Sequence, residues 1–204
     1  MEDIAGVALD YFQKIFTVGE CDRMDECLNA VPHKITAEMH QTLTSEFSAD
    51  EVKAALFQMA PTKALGPDGM NALFFQKYWH IVGNNAIDAV LGFLESSHMV
   101  PGINATNIVL ILKVKCPKKM SDFCPISLCN VIYKIISKVL ANRLKLILPQ
   151  IISPTQSAFV PGRLITDNVL LAYEILHTMH SRKKGKAGSL ALKLDVSKAY
   201  DRVE

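Results

Sequence analysis

The chain has 204 residues, 50% of them hydrophobic, which excludes a disordered tail and leaves room for one or two domains. Its 22 Lys and Arg stand against 20 Asp and Glu, a formal charge of +2, so a nucleic-acid partner must be held by a local basic patch rather than by the field of the whole surface. The cysteine count is 5, with no C-x-x-C spacing, which excludes the common zinc-ligand patterns and reads as reduced thiols in an intracellular protein.

The first sixteen residues carry Ile4, Val7, Ala8, Tyr11, Phe12, Ile15 and Phe16 at helical spacing. Glu2, Asp3 and Asp10 interrupt them early and no basic segment precedes them, so they are not read as a signal peptide. No apolar run is long enough for a membrane helix, and the expected location is the nucleus or cytoplasm, with no membrane partner. Residues 1–46 are read as one helical segment upstream of a second region, 47–204.

That second region opens on a helix-start signature. Ser48 caps, Glu51 reaches back to it, and Phe47 packs on Val52. The helix begins at Ala49, turns Val52, Ala55, Leu56 and Met59 inward, and is expected to end at Pro61. Gly66-Pro67-Asp68-Gly69 then forces a tight turn. A helix from about Asn71, with Leu73, Phe74, Tyr78, Ile81 and Val82 inward, is expected to break at Gly83-Asn84 before another that buries Ile87, Val90, Leu91 and Leu94.

Ile108 to Leu112 is short, wholly apolar and partly β-branched, which predicts a buried strand. Lys113, Lys115, Lys118 and Lys119 cluster after it around Pro117; solvation accounts for them, and so does a grip on phosphate. From Val131 to Leu148, Ile132, Ile135, Ile136, Val139, Leu140, Leu144, Ile147 and Leu148 give the strongest helical pattern in the chain, with Lys134, Lys138, Arg143 and Lys145 elsewhere around it and Pro149 as its stop. The stretch from Gln156 to Arg163 is a loop, followed by a helix through Val169, Leu170, Tyr173, Leu176 and Met179. His177 and His180 lie one turn apart but lack further ligands, and read as surface residues. A basic turn, Arg182 to Lys186, leads to an alternating run, Leu190, Leu192 and Leu194, that predicts a strand delivering Asp195 to its end. Asp195 and Asp201 suit hard oxygen coordination of magnesium, although a strand-terminal Asp capping the next turn accounts for them equally well.

Asp195-Val196-Ser197-Lys198-Ala199-Tyr200-Asp201 resembles motif A of reverse transcriptases. The blocks from Ile126 to Ile135 and from Gln156 to Asn168, together with Gly66-Pro67-Asp68-Gly69, resemble in order the polymerase region of plant LINE-type, non-LTR retrotransposons. The resemblance implies an α+β fold: the helix-rich fingers and the first palm strand of a right-hand polymerase, incomplete. It implies Asp195 as the first metal-binding aspartate of a two-Mg2+ site, the Val196 backbone carbonyl as a further oxygen ligand, and Tyr200 as the gate against the 2′ carbon of the nucleotide sugar. Asp201 is implied to be structural. Lys113 would face nucleic acid or the incoming deoxynucleoside triphosphate, and Gln156 and Arg163 would contact backbone or bases of the template. An RNA template and a DNA primer are the implied partners.

Departures from the family pattern shape the expected activity. Cys124 stands where the family has Arg in Asp-Phe-Arg-Pro-Ile-Ser, which removes a guanidinium suited to phosphate and should weaken triphosphate or template binding. Leu65 and Leu112 replace prolines, changes that should loosen loop geometry. The family's Tyr-Ala-Asp-Asp block, source of the remaining metal carboxylates, has no counterpart: the sequence contains no Asp-Asp pair. The reading is therefore the amino-terminal part of a reverse transcriptase domain, cut just after motif A and inactive alone, with the missing palm and thumb supplied on another chain if at all; a non-catalytic nucleic-acid-binding remnant or a pseudogene product is the alternative.

Overall fold

A computed structural model describes residues 2–17, 24–157, 160–182 and 190–192. Asp195, Val196, Tyr200 and Asp201 lie outside the described residues, as do Lys183, Lys184 and Lys186. The chain divides into two compact units, Ile35–Ile152 and a second built from Met1–Lys34 with Ser153–Glu204.

Ile35–Ile152 holds the core. It begins with α3 (Ala37–Thr44), capped by Thr36, whose side chain accepts from the Met39 N–H. Helix α4 (Ala49–Phe57) opens on the expected capping box: the Glu51 carboxylate accepts from the Ser48 N–H at 2.9 Å, and the Ser48 hydroxyl accepts from the Glu51 N–H at 3.3 Å. Val52, Ala55 and Leu56 are fully buried, as their spacing predicts. The helix stops at Phe57, capped by Gln58, before Pro61 is reached.

The next helices divide elsewhere than expected. Helix α5 (Ala72–Lys77) is capped by Asn71 and buries Ala72 and Phe75, while Leu73 and Ile81 are exposed. The break falls at Tyr78, and α6 (Trp79–Ser96) runs through Gly83-Asn84 without interruption. Gly83 is there for contact rather than for a break: a Cβ on it would lie 2.9 Å from the Trp79 indole. Ser97, in the left-handed region at φ 58°, closes α6 by donating its N–H to the Phe93 carbonyl.

Strand β1 (Thr106–Leu112) pairs antiparallel with β2 (Phe123–Cys129), in a register that runs from Thr106 opposite Cys129 to Leu112 opposite Phe123. The strand at Ile108 to Leu112 is present, but the expectation that it is buried is not met: Ile108, Val109, Ile111 and Leu112 are exposed, because β1 and β2 form a two-stranded ribbon rather than a covered sheet. Pro125 sits inside β2, opposite Leu110, a position open to proline because each strand of such a ribbon is an edge.

Helix α7 (Val131–Ile151) is the spine of this unit and continues past Pro149 to Ile151, closed by the Ile152 N–H on the Leu148 carbonyl at 3.0 Å. Proline there lacks the N–H that would bond the previous turn and its ring crowds that turn's carbonyl, but with only two helical residues beyond it the helix still reaches Ile151. Val131, Ile135, Ile136 and Val139 meet Val52, Ala55 and Leu56 of α4, Ala72 and Phe75 of α5, and Ala86 and Val90 of α6 in one apolar cluster.

In the other unit, α1 (Glu2–Phe16) and α2 (Met24–Ala30) precede α8 (Ile165–Ser181). No residue of α8 is buried, although Val169, Leu170, Tyr173 and Leu176 are spaced for one face. Leu190 to Leu192 is not in a strand and Leu190 is 91% exposed, while Leu194 and Asp195, the rest of the expected strand, lie outside the described residues. No helix among the described residues is long and apolar enough to cross a membrane.

Candidate nucleic-acid interface

The basic loop between β1 and β2 is closed from beneath by an aspartate. The Lys113 N–H donates to the Asp122 carbonyl at 2.8 Å, and the Asp122 carboxylate accepts from the N–H groups of Lys118 at 2.8 Å and Lys119 at 3.0 Å. Those two backbone bonds, the Lys118 bond foremost, hold the Asp122 carboxyl below the usual carboxylate range. With the backbone turned inward on Asp122, the side chains of Lys113, Lys115, Lys118 and Lys119 all lie exposed. Cys124 is also exposed on β2, opposite Ile111.

A second element, the turn at 64–70, is fastened to the start of α7. The Lys134 ammonium donates to the Ala64 carbonyl at 2.8 Å, and the Asn130 side-chain oxygen accepts from the Asp68 N–H at 3.2 Å. Within the turn the Gly69 N–H reaches the Gly66 carbonyl at 3.1 Å and the Met70 N–H reaches the Asp68 carboxylate at 3.0 Å, with Gly69 at φ +70°. Gly66 approaches Asn130 so closely that a Cβ would lie 2.7 Å from the Asn130 Cα.

The loop from Ser153 to Arg163 belongs to the other unit and closes on itself. The Arg163 guanidinium donates to the carbonyls of Ser153 and Gln156, and the chain turns through Gly162 at φ +79°. The two residues expected to touch template are thus brought together, with the arginine engaged in holding the loop's backbone and the Gln156 residue exposed. Ser157 is buried, and its hydroxyl has no hydrogen-bond partner among the described residues. Lys113 belongs to Ile35–Ile152 and Gln156 and Arg163 to the second unit.

One residue that the periodicity placed on the polar side of α7 is buried instead. Arg143 is 6% exposed, and its guanidinium donates to both Glu51 carboxylate oxygens, at 2.7 and 2.9 Å, and to the carbonyls of Leu43, Ser45 and Glu46. Its planar face lies 3.7 Å from the Phe47 ring centroid. The Arg143 hydrogen bond, more than any other influence, lowers the Glu51 pKa from 4.5 to about 2. The capping box at Glu51, Ser48 and Phe47 was the available signal: a carboxylate fixed in place and an aromatic beside it form a seat for a guanidinium.

Residues 116–204 match the family described as reverse transcriptase (RNA-dependent DNA polymerase). This stretch of the chain is similar to reverse transcriptase sequence. The match takes in β2, α7, the 153–163 loop, α8 and Asp195 to Asp201. Across its whole length the chain is also similar to the Transposon TX1 uncharacterized 149 kDa protein of Xenopus laevis, at 31% identity over 206 residues. It spans 15% of the length of that relative. Among the described residues no group of three or more His, Cys, Asp or Glu is placed to hold a metal ion.

Proposed function

We propose that these 204 residues supply the fingers and first palm strand of a right-hand RNA-directed DNA polymerase from a LINE-type element of plant affinity, and that they do not polymerise alone. The observation that carries this reading is the reverse transcriptase match over residues 116–204, which includes Asp195 to Asp201. Asp195 is the metal-binding carboxylate, Val196 adds its backbone carbonyl, and Tyr200 is the sugar gate; RNA template, DNA primer and deoxynucleoside triphosphate are the partners. The family's chemistry uses Mg2+, yet two magnesium ions need more oxygen donors than Asp195 and one carbonyl provide, and no Asp-Asp pair exists in the sequence. The donor set does not fit the metal pair, and no catalytic step is assigned to this chain by itself. What it can do is hold nucleic acid: Lys113, Lys115, Lys118 and Lys119 are displayed at the ribbon tip, Gln156 at the loop that Arg163 closes.

Primer extension on a primed RNA template with magnesium is the test. The chain alone is expected to yield no product, and adding a polypeptide that carries a Tyr-Ala-Asp-Asp block is expected to restore synthesis that Asp195→Ala abolishes. Template-dependent synthesis by the chain alone would overturn the reading.

A second reading, non-catalytic binding of nucleic acid, is favoured by the exposed lysines of the ribbon tip. It predicts RNA binding that survives Asp195→Ala, with a log–log salt slope near about −3 if four phosphates are neutralised, and undetectable binding at low salt would end it.

A further inference from the structure

The β1–β2 ribbon and the 64–70 turn are far apart in sequence, and one buried side chain joins them. Asn130 lies between the end of β2 and the start of α7, where a capping side chain is usual, but it makes no side-chain cap to that helix. Its amide nitrogen donates to the Gly102 carbonyl at 3.0 Å and the Ile103 carbonyl at 3.3 Å, in the turn that leads into β1. Its oxygen accepts from the Asp68 N–H. The residue is 7% exposed, so each of these bonds replaces one that water cannot make.

We propose that Asn130 is a positioning residue that fixes the 64–70 turn against the root of the basic ribbon, so that turn and lysine tip are held in one orientation. The ribbon needs such a hold. Ile108, Val109, Ile111, Leu112 and Ile126 are exposed and none of its apolar residues is fully buried, so packing holds its direction weakly, and its backbone joins the core through the 102–105 turn and the Cys129-Asn130 junction with α7. Both connections pass through Asn130. Gly66 has no side chain because the turn approaches the Asn130 backbone, and Lys134, one helical turn along α7, fixes the turn's other end through Ala64. In consequence the amide couples two elements that share no backbone hydrogen bond of their own. The importance of this coupling for nucleic acid rests on the proposed function; the coupling itself does not.

The two ends of the amide can be separated. Asn130→Asp keeps an oxygen for the Asp68 N–H and loses the donor to Gly102 and Ile103, whereas Asn130→Ala loses both. Hydrogen exchange on the full chain is the readout. Asn130→Ala is expected to speed exchange by roughly tenfold at Asp68 to Met70 and also at Ile103 to Ala105, while Val52 to Leu56 in α4 stay protected. Asn130→Asp is expected to speed only Ile103 to Ala105. Gly66→Ala, which displaces the turn from Asn130, is expected to speed Asp68 to Met70 and to add little to Asn130→Ala. If Asn130→Ala leaves either segment unchanged, or if the loss of protection spreads evenly through α4 and α7, the positioning role is wrong. Titration with a fluorescent single-stranded RNA gives the second readout: Asn130→Ala is expected to weaken binding about threefold to tenfold with the salt slope unchanged, because the lysines remain and only their placement relaxes. Failure of the unmodified chain to bind RNA would remove the nucleic-acid reading and leave the exchange result to decide the coupling.

Discussion

Helices α7 and α8 look alike as sequences and differ completely as structure. Each carries a continuous apolar stripe, yet α7 buries Val131, Ile135, Ile136, Val139 and Ile147 and α8 buries nothing. Periodicity states which face of a helix is apolar; it does not state whether anything covers that face. The difference lies in what surrounds each helix. Around α7 stand α4, α5 and α6, and a guanidinium on α7 reaches across to Glu51 and the backbone at Leu43, Ser45 and Glu46. For α8 the described residues supply no such neighbours.

The largest way to break the contrast is to remove the clamp. Arg143→Met takes the guanidinium from the carbonyls of Leu43, Ser45 and Glu46 and leaves the Glu51 carboxylate only its Ser48 bonds, and is expected to cost about 3–5 kcal/mol, read from the urea midpoint. Arg143→Lys restores the charge but not the fork that serves both carboxylate oxygens, and should recover only part of the loss. A loss below about 1 kcal/mol for Arg143→Met would mean that the segment before α4 is held by other contacts.

Matched truncations test the contrast directly. Ile135→Ala on α7 removes a fully buried side chain and is expected to cost about 2–5 kcal/mol, whereas Leu170→Ala, on a side chain 61% exposed, should fall within about 0.5 kcal/mol. Equal costs would show that α8 is covered in solution.

A smaller effect concerns pH. Glu51 has a folded pKa of about 2 against a reference of 4.5, mainly through Arg143, so it contributes stability above pH 4.5 that is lost as the pH falls toward 2. Because 35% of the Glu51 side chain is open to solvent, the contribution is expected to be only about 1 kcal/mol after screening. Glu51→Gln should flatten the stability curve between those limits. An unchanged acid slope would separate the clamp's hydrogen bonds from its charge.

How much of this was legible depended on whether the signal was local. The capping box at Ser48 and Glu51, the buried face of α4, the strand at Ile108 and the long helix after Asn130 are all set by residues within a turn or two of one another, and all are present. Strand β2 was not foreseen because Pro125 interrupts its pattern. Arg143 and Asn130 escaped for a different reason: their partners lie 92 and 62 residues away, at Glu51 and Asp68, and no spacing rule reaches that far. At the candidate site, the lysine tip and the 153–163 loop were legible as loops, but the Arg163 role was not, since a carbonyl acceptor leaves no mark on the side-chain sequence.

The smallest expected effect concerns the glycine that looked like a helix break. Gly83 lies inside α6, so alanine there should gain the roughly 1 kcal/mol by which Ala exceeds Gly in a helix interior. Against that, the new Cβ would lie 2.9 and 3.0 Å from two atoms of the Trp79 ring, too close for a rigid indole that also meets Phe57 edge-on at 6.2 Å between centroids. The ring must shift, at a cost of about 1–3 kcal/mol for overpacking, so Gly83→Ala should be mildly destabilising on balance while helix content by circular dichroism stays the same. Pairing it with Trp79→Leu removes the obstacle and should let the helix gain show, so that alanine at 83 becomes stabilising in that background. A destabilising effect of equal size in both backgrounds would mean that Gly83 is required by the backbone and not by the indole.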